Sequence, residues 1–188
     1  PRISQACTSQ DQTTAPPMNS RDLLTLLRLA LMPVLVLVFY LPIGWARGIS
    51  AALYLLAAIT DWLDGYLARR LRQSSPFGAF LDPVADKLMV AVALVLLVQD
   101  DPSPFLAIAA AIIIGREIAI SALREWMAEL GKRAHVAVSR VGKVKTTAQM
   151  VAILLLLYHD PLLGLPIVDI GYVLLYLAAG LTLWSMFI

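Results

Sequence analysis

The chain has 188 residues, 60% of them hydrophobic and 15% charged, with a mean hydropathy of +0.77. A soluble domain carries roughly 45–50% apolar and about 25% charged residues, and the surplus here does not fit inside one soluble core of this size. Composition therefore excludes an ordinary soluble domain and a disordered chain. With Cys7 as its single cysteine, the chain is not a disulfide scaffold either. A polytopic helical membrane protein remains; a transmembrane barrel would show alternation rather than long apolar runs.

In chain order, residues 1–19 are polar and rich in Ser, Thr and Gln. They lack the run of roughly 7–15 apolar residues of a secretory signal and read as a disordered or non-native leader. Residues 20–188 read as one all-α membrane domain. Six apolar segments, near 22–42, 48–70, 83–99, 104–128, 144–159 and 165–187, predict six transmembrane helices, the third and fifth short as pure apolar runs but continued by polar residues. Six spans put both termini on one side of the membrane. The connections at 69–87 and 116–145 then fall on the same side as the termini, and those at 42–47, 100–104 and 159–164 on the other. Of the 15 Lys and Arg, 14 go with the first set and only Arg47 with the second, so the positive-inside rule places the first set in the cytoplasm.

The most informative stretch runs from Asp61 to Asp86. At helical spacing Asp61, Asp64, Gly65, Ala68 and Arg69 share one face, and Asp82 and Asp86, four apart, share a face of the next helix. The breakers Ser74, Ser75, Pro76, Phe77 and Gly78 turn the chain between them. Pro83 is comfortable only in a first helical turn, which places Asp82 near the N-cap of the third span and Gly78 in the turn. Two antiparallel spans thus aim four carboxylates at one point. Such a cluster repels itself at low dielectric and makes sense when cations neutralise it. All-oxygen ligands suit Mg²⁺, Mn²⁺ or Ca²⁺, and bridging divalent ions suit phosphoryl chemistry. Solvated helix-end acids paired with Arg69, Arg70, Arg72 and Lys87 are the plainer alternative; that alternative fits one or two aspartates better than four.

These residues fit D-x2-D-G-x2-A-R-x8-G-x3-D-x3-D at all eight fixed positions: Asp61, Asp64, Gly65, Ala68, Arg69, Gly78, Asp82 and Asp86. The chain thereby resembles the CDP-alcohol phosphatidyltransferase family. The stretches at 23–31, 57–71, 77–97, 112–134 and 141–157 look like members that use glycerol 3-phosphate, over essentially 22–188. The resemblance implies that CDP-diacylglycerol and sn-glycerol 3-phosphate give phosphatidylglycerophosphate and CMP in the cytoplasmic (inner) membrane. It implies two divalent cations, Mg²⁺ or Mn²⁺, on Asp61, Asp64, Asp82 and Asp86, with Asp86 also the base. Asp64, Gly65, Ala68, Arg69 and Gly78, with Thr25 and Arg28 of the first span, would bind the CDP-lipid. Membrane lipids and a second copy of the chain, as a homodimer, are the further partners implied; no nucleic acid is.

Arg116 follows an apolar run, and with Arg140, Lys143 and Lys145 it could clamp the glycerol phosphate opposite Asp86. Contact of 132–145 with anionic lipid heads is the alternative, and Lys132 and Arg133 are assigned to that role. Family members commonly carry Pro-Asn shortly before Thr25 and Arg28, where this chain reads Arg21-Asp22. His135 and His159 read as surface residues. Trp45, Trp126 and Trp184, with Tyr40, Tyr158, Tyr172 and Tyr176, fit an interfacial aromatic belt, while Asp169 has no evident role. Two alternatives stay open: another acceptor alcohol such as serine or inositol phosphate, and a small cation transporter. The transporter requires polar residues across the whole bilayer, whereas spans two, three and five are apolar in their external halves.

Overall fold

In the computed structural model, the described residues are 20–71, 76–130, 140–160 and 164–185; within them the side chains at 20–22, 64–71, 76–80, 82–83, 124, 128–129 and 140–144 are left out of the description. The leader expected at 1–19 lies outside the described residues. The apolar runs are rich in Leu, Ala and other helix-compatible residues, with proline mostly at their ends. They form six helices: α1 (Ser20–Phe39), α2 (Ala46–Leu71), α3 (Pro76–Asp100), α4 (Pro104–Glu129), α5 (Arg140–Tyr158) and α6 (Ile167–Trp184). Pro104 opens α4 at a position where its missing N–H costs nothing. Pro33 lies inside α1, so the carbonyl of Leu29 forfeits its helical donor. Asp169, unexplained by the sequence, falls in the first turn of α6, where a carboxylate complements the helix dipole.

The third helix departs from the sequence reading. It begins at Pro76, so Gly78 belongs to the helix rather than the turn, and Asp82 lies well inside it rather than at its N-cap. Pro76 takes the permissive first position, and Pro83 is accommodated in the body of the helix at the expense of one backbone bond.

Side-chain pairs at both ends show that successive helices alternate in direction. At one end Arg28 of α1 meets Asp61 of α2 and Asp86 of α3, and Arg116 of α4 reaches Ser185 beyond α6. At the other end Tyr40 donates to Gln99, Arg47 pairs with Asp100 at 2.9 Å and Tyr172 donates to Asp101. Arg47, the lone cation of its side, is thus neutralised locally.

The core between the two ends is apolar and built on small residues. Ala51, Tyr54 and Ala57 of α2 belong to one buried cluster with Ala85, Met89, Ala93, Leu94 and Leu97 of α3, Ala152, Ile153 and Leu156 of α5, and Leu175 and Ala179 of α6; α2 packs against α1 and α5, and α3 against α1, α4 and α5. Small side chains let helix backbones approach closely, the packing favoured where no water drives association. The outer surface is also apolar. The stretches Pro104–Met127 and Ile167–Trp184 are long and apolar enough to cross a membrane, yet only 22% and 33% of their windows are buried. Packing within the chain therefore leaves most of these apolar surfaces uncovered.

The most extensive helix contact joins α5 and α6, and Gly171 sits at its tightest point. A Cβ there would lie 2.9 Å from Leu156 Cγ and 3.4 Å from the Ala152 carbonyl oxygen. Alanine gains about 1 kcal/mol in helix propensity over glycine, and overpacking costs about 1–3 kcal/mol. Gly171→Val, bulkier still, should lower the melting temperature of the detergent-solubilised protein. Gly180→Ala, where nothing lies within 4 Å, should leave it unchanged or raise it.

Candidate functional site

The inward stripe of α2 runs Ala51, Tyr54, Ala57, all nearly inaccessible, and four residues on it reaches Asp61. On α3, Asp86 stands beside buried Ala85 and one turn before Met89 and Val90. The same helical faces that build the core therefore carry the two carboxylates at its polar end. Arg28, two turns into α1 and only 1% exposed, lies between them. Its Nη1 is 3.2 Å from Asp61 Oδ1 and donates to Asp86 Oδ1 at 2.6 Å. One guanidinium thus ties three helices together. Burying a charge is costly unless it is paired, and the planar fork of arginine suits two carboxylate oxygens at once.

Beside this triad opens a cavity of about 350 Å³ whose wall includes Asp61, Asp86, Lys87, Glu117, Gln149, Thr146 and Thr147. The α5 side of the site follows a single helical stripe: Lys145 and Gln149, then Ala152, Ile153 and Leu156. Lys145 is 2% exposed and Gln149 4%, and neither the Lys145 ammonium nor Gln149 Oε1 has a hydrogen-bond partner among the described residues. The stripe is polar at the aspartate end and apolar beyond it. A cavity with carboxylates and an unsatisfied amide oxygen on its wall, and a buried ammonium one helical turn from that amide, suits a small polar, anionic ligand with a hydroxyl directed at a carboxylate.

Asp61 and Asp86 offer oxygen donors alone, and among the described residues no three His, Cys, Asp or Glu gather into a metal site. Asp64 lies three residues beyond Asp61 on α2, and Asp82 four residues before Asp86 on α3, so the helices carry further carboxylates within one turn of each. Arg28 neutralises part of their charge in the described arrangement, and the fit to a hard divalent cation rests on the all-oxygen donor set, with Asp64 and Asp82 as the additional ligands.

Of the sequence-predicted residues, the structure brings together Arg28, Asp61 and Asp86, and it buries Thr25 completely on the same helix as Arg28. Lys145 lies buried on α5 at the same end of the bundle. Arg116 stands beside Glu117 of the cavity wall: its Nη1 is 3.1 Å from Glu117 Oε1 and its Nη2 donates to Ser185 Oγ at 3.4 Å. Asp64, Gly65, Ala68 and Arg69 fall on α2, Gly78 and Asp82 on α3, and Arg140 and Lys143 on α5; their side chains lie outside the described residues. Sequence reasoning passed over Gln149, Thr146, Thr147 and the cavity-lining role of Glu117 and Lys87. The available signal for Gln149 was its spacing four residues after Lys145, on the face that becomes the core.

The CDP-alcohol phosphatidyltransferase family model matches residues 18–184. Curated relatives named CDP-diacylglycerol–glycerol-3-phosphate 3-phosphatidyltransferase include one from Pectobacterium atrosepticum, 57% identical over 90% of this chain and 91% of its own length. One from Salmonella choleraesuis is 58% identical over 89% and 91%, and one from Pseudomonas fluorescens is 56% identical over 90% and 87%. The family generally uses divalent metal ions. With a model match across nearly the whole helical bundle, on a fold that brings Asp61 and Asp86 together, the chain belongs to the CDP-alcohol phosphatidyltransferase family.

Proposed function

We infer that the protein transfers the phosphatidyl group of CDP-diacylglycerol to the 1-hydroxyl of sn-glycerol 3-phosphate, giving phosphatidylglycerophosphate and CMP. The observation that carries the reading is the convergence of Asp61 and Asp86 on Arg28 at the wall of a polar cavity. The names and coverage of the relatives support the choice of substrates.

In this reading Asp86 accepts the proton of the 1-hydroxyl as that oxygen attacks the β-phosphorus. The new bond joins the glycerol oxygen to phosphorus, the bond to the bridging pyrophosphate oxygen breaks, and that oxygen leaves with CMP. A carboxylate is a weak base for an alcohol, so the proton moves late, once the attacking oxygen has begun to bond. Arg28 fixes the orientation of both carboxylates. Asp61, Asp64, Asp82 and Asp86 would hold two divalent ions, Mg²⁺ or Mn²⁺, which supply charge neutralisation to the pyrophosphate and the departing CMP. Gly65 and Ala68 leave room on α2 for the nucleotide, and Asp64, Arg69, Gly78, Thr25 and Arg28 complete the CDP-lipid contacts. Arg116, Arg140, Lys143 and Lys145 make the basic side on which the phosphate of the acceptor is held.

The six helices cross the cytoplasmic membrane in this reading, with both termini and the site on the cytoplasmic face. Two observations support it: the apolar, mostly unburied α4 and α6, and the concentration of Lys and Arg on one side. The protein acts as a homodimer, as the resemblance implies.

Three measurements test these statements. CMP release from CDP-diacylglycerol in detergent should require glycerol 3-phosphate; turnover with serine or inositol phosphate instead would replace the acceptor. Asp86→Asn should reduce CMP release roughly 10²–10⁴-fold while Mg²⁺-dependent binding of the CDP-lipid largely survives. Arg28→Met should abolish turnover and also destabilise the bundle by about 1–3 kcal/mol, since it removes charged hydrogen bonds shared by three helices. Thermal melting in detergent reads the second effect independently of activity.

A further inference from the structure

Gln149 stands one helical turn beyond Lys145, with 4% of its surface exposed, and it forms part of the wall that holds Asp61 and Asp86. Its carbonyl oxygen has no hydrogen-bond partner among the described residues. Leaving a buried amide oxygen without a donor is costly, and nothing in the local packing demands an amide: Met150 shares the wall, and Ala152 and Ile153 continue the same buried stripe. A methionine would fill the volume without the penalty. The oxygen therefore needs a donor that arrives with a ligand.

The geometry selects the donor. The attacking hydroxyl belongs at Asp86 and the phosphate toward the buried ammonium of Lys145, which also has no partner among the described residues. Four residues, a rise of about 6 Å, separate the levels of Lys145 and Gln149 along α5. This span is comparable to that from the phosphate to the hydroxyls of a three-carbon phosphate. With the phosphate and the terminal hydroxyl so placed, the hydroxyl between them faces the remaining wall. Resting on the glycerol 3-phosphate reading above, we propose that Gln149 is a specificity-determining residue. Its side-chain oxygen accepts a hydrogen bond from the secondary hydroxyl of the acceptor and so selects a vicinal diol phosphate over an alkyl phosphate with one hydroxyl. Discrimination of this type is strong because the analogue leaves the buried oxygen unpaired.

The test uses the full chain in detergent with Mg²⁺ and CDP-diacylglycerol. It compares kcat/KM for CMP release with sn-glycerol 3-phosphate and with 3-hydroxypropyl phosphate, which lacks only the secondary hydroxyl. The wild-type protein should prefer the diol by roughly 10–100-fold, the worth of one well-placed hydrogen bond to a buried group. Gln149→Met, which keeps the volume and removes the acceptor, should bring the ratio close to one. Gln149→Asn, which withdraws the oxygen by one methylene, should lower it partway and decides the matter where the methionine variant does not fold. A purely structural role would depress both acceptors together and leave the ratio where it was. A wild-type ratio near one, or an unchanged ratio in the folded variants, overturns the role of Gln149 while leaving the glycerol 3-phosphate reading intact. Failure of the wild-type chain to release CMP with glycerol 3-phosphate overturns both.

Discussion

The arrangement of the polar end depends on one guanidinium. Arg28 is almost fully buried, and an unpaired charge in that position would be prohibitively costly. Its partners come from two other helices, Asp61 on α2 and Asp86 on α3, so satisfying it fixes how three helix ends meet. The dependence also runs the other way. Two carboxylates held this close repel at low dielectric, and without the cation between them the ends of α2 and α3 would spread apart. The ion pair is valuable less for net stability, which buried pairs rarely supply, than for the single geometry it imposes on the groups that face the cavity.

That constraint explains why the two ends of the bundle differ. At the end holding Arg47, each described polar contact is closed between side chains: Arg47 with Asp100, Tyr40 with Gln99, Tyr172 with Asp101. At the other end a cavity remains, bordered by Asp61, Asp86, Glu117 and Gln149, with a buried and unpartnered lysine close by. Between the ends, Ala85, Ala93, Leu94, Ile153 and Leu175 leave no more than a trace of accessible surface. Among the described residues the buried polar atoms of α2 short of the site are few, the Ser50 and Tyr54 hydroxyls among them, so an ion crossing such a layer would meet little to replace its water. The site is one-sided, which suits a reaction between a lipid-borne donor and a soluble acceptor and argues against transport.

Much of this was legible in the sequence, for identifiable reasons. Long apolar runs fix the helices, because their hydrophobicity repeats over every turn, and all six were anticipated within a few residues except at the start of α3. There Pro83 misled: the rule that proline opens helices competes with an earlier proline, Pro76, which opens this one. Asp61 and Asp86 were legible because consecutive antiparallel helices bring their polar ends to the same end of the bundle; that α1 lies against both helices and bridges them through Arg28 was not. Pairings between distant helices leave no such local trace. Nothing near Arg116 announces Ser185, which lies 69 positions away, and nothing in the first span says that Arg28 neutralises two carboxylates. Gln149 was missed because its one sequence signal, the four-residue spacing from Lys145, is weak beside the apolar run around it; its burial with an unpartnered oxygen among the described residues is what marks it.

The distribution of satisfied and unsatisfied groups then carries the argument from fold to activity. A folded chain seldom leaves buried polar atoms without partners, and α5 carries two that have none among the described residues, at one end of a single stripe: the Lys145 ammonium and the Gln149 carbonyl. Apolar residues in both places would give a more stable helix with the same packing, as the stripe itself demonstrates from Ala152 onward. A ligand that supplies an acceptor to one and a donor to the other would recover their energetic cost, and a hydroxylated phosphate offers both in one molecule. The carboxylates across the cavity complete the logic, since they are held in place by Arg28 before any substrate arrives. Orientation is thereby established during folding rather than at the moment of reaction, and the substrate meets a wall already set to receive it.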